Sequence, residues 1–159
     1  MRAAILILVT FLLQGLISGL MPAEVAPPDL PFLAALALAG LYPLYVGLPL
    51  AFVIGILQDL LSAGYPGLHT VGLLCGVYVY YRLSRSFHSD ELLGQITILG
   101  GSFLAKWLGY ALVGYWLRGG PFTFAALTGV FVSEILFTLG LAPFLLGWAR
   151  RVLGETRRE

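Results

Sequence analysis

Few side chains in this sequence can hold or move a proton, and four of them fall into two spaced pairs. Asp59 and His69 flank Ser62-Ala63-Gly64-Tyr65-Pro66-Gly67, a run that forces a turn through Gly64, Pro66 and Gly67. Across such a hairpin the two can share a hydrogen bond, as an acid–base dyad does. The plainer alternative is that both cap helix ends and meet interfacial water. No Ser, Cys or second carboxylate stands at a spacing that completes a catalytic set. The stretch therefore reads as a structural turn or a partner contact, and no catalytic residue is assigned.

Lys106 and Glu134 form the second pair. Each is fourteen residues from Gly120 (106 to 120, 120 to 134), so an antiparallel hairpin turning at Gly119-Gly120 brings them to one depth. Ionisable residues inside a membrane are costly, face the bundle interior and tend to pair. The pair either lines a proton or substrate path or holds two helices in register. Ser102 and Thr138 lie one turn away and leave room for the charged heads.

The elements that must position these residues follow from composition. Of 159 residues 59% are apolar and 11% charged, and the mean hydropathy is +0.93. That leaves too little charge to cover a soluble domain. Runs approaching 20 apolar residues, broken by Pro, Gly or charge, are what a bilayer core demands. Lipid offers the backbone no hydrogen-bond partner, so the spans are helices, and the alternation of a β-barrel is absent. The expected fold is an all-α integral membrane protein with six transmembrane helices in a single polytopic domain over residues 1–159. The helices fall at about 3–20, 31–42, 47–62, 68–83, 92–117 and 122–149.

Charge sets the orientation. With six spans, Arg2, Arg82, Arg85, Arg150, Arg151, Arg157 and Arg158 lie on one side and only Arg118 on the other. The positive-inside rule then puts both termini in the cytoplasm and the 58–72 stretch on the outer face. The first run is longer than a signal-peptide core and is taken as a retained helix. The second helix is short, so it tilts little or thins the bilayer. Pro49 falls in the first turns of the third helix, and Pro143 should bend the last. Cys75 lies in an apolar run and excludes a disulfide framework. His69 and His88 fall on opposite faces, so no metal site is expected, and no cofactor is implied. No basic stripe suggests nucleic acid. Gly15 with Gly19, and Gly72 with Gly76, are one turn apart and mark helix-packing or partner faces, with Gly72 and Gly76 preferred for a foreign helix.

The stretch Gly55 to Gly72, GILQDLLSAGYPGLHTVG, resembles the rod shape-determining MreD family, as do the six apolar segments and Pro28-Asp29-Leu30 before the second helix. Family members have a helix ending in aspartate, a Ser/Gly-Pro-Leu-Gly type of turn and a further apolar helix. Here Tyr65-Pro66-Gly67 lacks the Leu between Pro and Gly. The resemblance implies a non-enzymatic scaffold of the bacterial cell-elongation (rod) complex in the inner membrane. It implies binding to the bitopic MreC and, through it, to MreB, RodA and a class B penicillin-binding protein. It also implies a fold similar to the substrate-binding subunits of energy-coupling-factor vitamin transporters, which supplies the alternative function. The first helix, however, has no Ala-x-x-x-Ala coupling pattern, only Gly15 and Gly19.

Overall fold

The computed structural model describes residues 2–22, 25–62, 66–87, 92–118 and 124–153. The secondary-structure elements among the described residues are six α-helices: α1 (Arg2–Leu20), α2 (Leu30–Leu41), α3 (Leu44–Leu61), α4 (Leu68–Ser86), α5 (Leu92–Arg118) and α6 (Phe124–Leu153). Four of them, α1, α3, α5 and α6, are long and apolar enough to cross a membrane. α2 has 12 residues and is too short to cross alone, while α4 has the length, 19 residues, but a more polar sequence. The chain divides into two compact units, Tyr42–Pro121 and Met1–Leu41 with Phe122–Glu159.

In the first of these units α4 packs on α3 and on α5. Membrane helices gain little from apolar contact alone, so close approach depends on small residues. A Cβ on Gly55 of α3 would stand 2.5 Å from the Thr70 Cα of α4. One on Gly109 of α5 would stand 2.9 Å from the Gly72 Cα, and one on Gly72 would run into the Tyr110 ring. Gly47 in turn faces the Tyr81 hydroxyl, which donates to the Tyr42 carbonyl at 2.8 Å. Of the two readings of Gly72 and Gly76, a packing face or a face for a foreign helix, these contacts favour packing at Gly72. Both are buried, and the Gly72 surface is already filled by α5.

In the other unit α1 and α6 both pack on α2. Ten successive α2 residues, Leu30 to Ala39, are buried. A helix apolar all round and buried on every face is a core element. The chain returns into the unit before α2 begins: the Leu30 N–H donates to Gln14 Oε1 at 3.0 Å, and the Asp29 N–H to Thr138 Oγ1 at 3.1 Å. Gln14 is six residues back from the end of α1, about 9 Å at the helical rise. Thr138 sits next to the middle of the apolar stretch Val130–Trp148. α2, roughly 18 Å long, thus begins inside its unit, held there by side chains of α1 and α6.

Candidate functional site

The Asp59 carboxylate is where α3 meets the start of α4. Gly67 is the N-cap of α4, with φ 90° and ψ −11°, a left-handed conformation that glycine adopts without penalty. Glycine brings no side chain to the N–H groups that every helix start leaves unpaired. Asp59 supplies the missing acceptor from another helix. Its Oδ2 accepts from the Gly67 N–H at 2.9 Å, the Thr70 N–H at 3.1 Å and the Thr70 hydroxyl at 2.6 Å. Its Oδ1 accepts from the His69 N–H at 2.8 Å and lies 3.0 Å from His69 Nδ1. A carboxylate taking five contacts acts as acceptor only, which assigns the ring proton to Nδ1.

Gly55 explains how Asp59 reaches so far. It precedes Asp59 by one helical turn on the same face, and its missing side chain lets α3 lie against Thr70. The side chains of His69 and Asp59 are 19% and 7% exposed. The His69 ring meets Tyr110 of α5 edge-on, with centroids 5.4 Å apart. Asp59, Pro66, Gly67 and His69 are therefore brought together, while Gly64 lies outside the described residues. Sequence reasoning missed Gly55 and Thr70. The signals were present as a glycine four residues before Asp59 and a threonine three after the N-cap.

A second polar cluster closes the start of α2. Asp29 is 5% exposed, and its Oδ1 accepts from the Phe32 N–H at 3.0 Å as an N-cap does. The Ala26 N–H donates to Ser133 Oγ at 3.3 Å, and the Leu33 N–H to the Asp29 carbonyl at 3.2 Å. Pro27, Pro28 and Pro31 have no N–H to satisfy. With Thr138 and Gln14 on the Asp29 and Leu30 donors, every N–H from residue 26 to 33 is matched. That is the condition for non-helical backbone at membrane depth.

Lys106, fully buried in α5, has its Nζ 5.0 Å from the Phe103 ring centroid and 5.1 Å from that of Tyr110, one turn to either side. These ring faces attract the ammonium. Glu134, 8% exposed, stands on α6 in the other unit, between the Ser133 and Thr138 that hold the segment before α2. The Gly119-Gly120 turn lies outside the described residues. Gly15 and Gly19 are exposed, and a Cβ on either meets nothing within 4 Å. No group of three His, Cys, Asp or Glu side chains able to hold a metal occurs among the described residues.

Four helices long and apolar enough to cross a membrane, a buried α2 and matched backbone donors before it define a multi-pass helical membrane protein. Residues 1–141 match the family of rod shape-determining protein MreD, and the chain belongs to that family. No curated protein and no solved structure shows a match to it. Membership supports a role in determining rod shape.

Proposed function

We propose that the chain is a non-enzymatic membrane scaffold of the bacterial cell-elongation (rod) complex, binding MreC and through it MreB, RodA and a class B penicillin-binding protein. The observation that carries this reading is the family match over residues 1–141. The spent Asp59 carboxylate adds support, because all its contacts go to one helix start. In the proposed arrangement a single membrane domain crosses the inner membrane six times, α2 completing its crossing with the segment before it. Both termini are cytoplasmic, and the Asp59–His69 turn faces outward. The exposed Gly15 and Gly19 of α1 are the proposed face for the transmembrane helix of MreC, since a backbone can approach there unobstructed. The bundle is also proposed to share the fold of energy-coupling-factor substrate-binding subunits. A transport function does not come with it, because the family matched is one of shape determination.

Copurification in mild detergent tests the reading. A single-pass elongation protein should be recovered with the native chain and lost with Gly15→Leu, made at an exposed position where an added Cβ meets nothing within 4 Å. Equal recovery from Gly15→Leu would move the interface elsewhere, and no recovery from the native chain would overturn the scaffold reading. Reporter fusions after Arg85 and Arg158 should both read cytoplasmic; a periplasmic signal at either would refute the topology.

A further inference from the structure

The second half of α4 reads Tyr78-Val79-Tyr80-Tyr81-Arg82-Leu83-Ser84-Arg85-Ser86, rich in hydrogen-bond donors for a helix of so apolar a chain. Two of its directions are taken. Tyr81 donates to the Tyr42 carbonyl and fills the space beside Gly47 of α3, while Leu83 lies over Gly101 of α5. Between them Leu74, Tyr78, Arg82 and Arg85 share one face, at spacings of four, four and three residues. Leu74 is half-buried, Tyr78 is 49% exposed, and both arginines are exposed. Among the described residues neither guanidinium meets a carboxylate.

Over roughly 16 Å this face passes from apolar through aromatic to cationic. That is the polarity order of one bilayer leaflet, from acyl chain through glycerol to phosphate, with tyrosine at the headgroup level. Gly47 lies opposite Tyr81, so Tyr45 of α3, 77% exposed, stands level with the turn that carries Arg82. From Leu68 to Arg82 α4 rises about 21 Å, less than the roughly 30 Å of a hydrocarbon core. With the 66–67 turn at one boundary, the Arg82 guanidinium reaches the other only by extending along the helix. Charge held so near hydrocarbon calls for an anionic partner, and the guanidinium fork matches phosphate oxygens. We propose that Arg82 and Arg85 bind the phosphate of an anionic phospholipid, with Tyr78 against its glycerol region. An acidic protein would match the two charges but not the apolar and aromatic approach to them. The inference rests on α4 crossing the membrane, as proposed above.

The test reconstitutes the full-length protein in phosphatidylcholine vesicles holding a minor fraction of phosphatidylglycerol. The protein is extracted in mild detergent and its retained lipids are counted by native mass spectrometry. Phosphatidylglycerol should be retained several-fold above its share of the vesicle. Arg82→Gln and Arg85→Gln should each lower that enrichment, and the double change should abolish it without moving the melting temperature. Arg82→Lys, which keeps the charge but not the fork, should retain part of it. Arg151→Gln, at an exposed arginine near the end of α6, should leave it intact. No enrichment in the native chain, while the reporter after Arg85 still reads cytoplasmic, would overturn the lipid site and leave the topology standing. A periplasmic reading would instead remove the crossing of α4 on which the site rests. Equal loss from Arg151→Gln would reduce the effect to general surface charge, and displacement by excess inorganic phosphate would reduce it to a simple anion site. Exclusion of the lipid by a copurified acidic protein would make the face a protein contact. Each of these three results would overturn the proposal.

Discussion

Asp59 performs on α4 what a serine or aspartate at the N-cap normally performs on its own helix. An amide cannot replace it, because one of its two positions would turn a hydrogen-bond donor toward donors already there. Asp59→Asn should therefore lower stability by about 2–4 kcal/mol, the scale of losing several charge-assisted bonds at a helix start. Thr70→Val should cost roughly 1–2 kcal/mol, and His69→Gln less than Asp59→Asn, since the His69 N–H keeps its bond. Thermal unfolding in detergent, followed by circular dichroism, checks the order; an Asp59→Asn protein as stable as the native one would remove the capping role. Asp29 predicts the opposite pattern. Asn caps nearly as well as Asp, so Asp29→Asn should change stability by no more than about 0.5 kcal/mol while Asp29→Leu costs about 1–3 kcal/mol. Equal damage from both would show that the negative charge itself is used.

At the scale of elements, the glycines of α3, α4 and α5 decide which helices touch. A side chain at position 55 meets backbone, which cannot rotate aside. Gly55→Val should separate α3 from α4, draw Asp59 out of its five contacts and cost about 1–3 kcal/mol or more. Added to Asp59→Asn it should cost less than the sum of the two single losses, because both act on one contact. Strictly additive melting shifts would mean that the close approach and the cap are independent. The start of α2 teaches the companion lesson. Its extended lead-in is tolerated because prolines remove three donors and Gln14, Ser133, Thr138 and Asp29 answer the rest.

For the whole molecule, two charged side chains, Lys106 and Glu134, are buried in an otherwise apolar interior. Lys106 and Glu134 lie in different units, and we propose that they pair, on the equal spacing from Gly120 and the burial of both. Removing one member of a buried pair strands the other, at about 3–5 kcal/mol in soluble cases. In a membrane the cost is smaller where a stranded lysine loses its proton. Lys106→Met and Glu134→Gln should each lower the melting temperature in detergent, and the double change should recover part of the loss. Losses that simply add would show that the residues are not partners.

Composition and hydropathy determined the class of protein and the six helical stretches, because the bilayer imposes one length scale and one demand on the backbone. The turn at Pro66 and Gly67 and the likeness of residues 55–72 to a family were also legible, since both are local in the chain. What the sequence left open depended on distance in space. Whether Asp59 meets His69 as a dyad or as part of a five-contact cap turned on Gly55 lying against Thr70. Whether Gly72 faced a stranger or its own α5 turned on Tyr110 and Gly109. Where α2 begins turned on Gln14 and Thr138, more than a hundred residues apart in the sequence. Period and composition describe a helix and its surroundings on average; which side chain answers a given backbone donor is decided only when the helices pack.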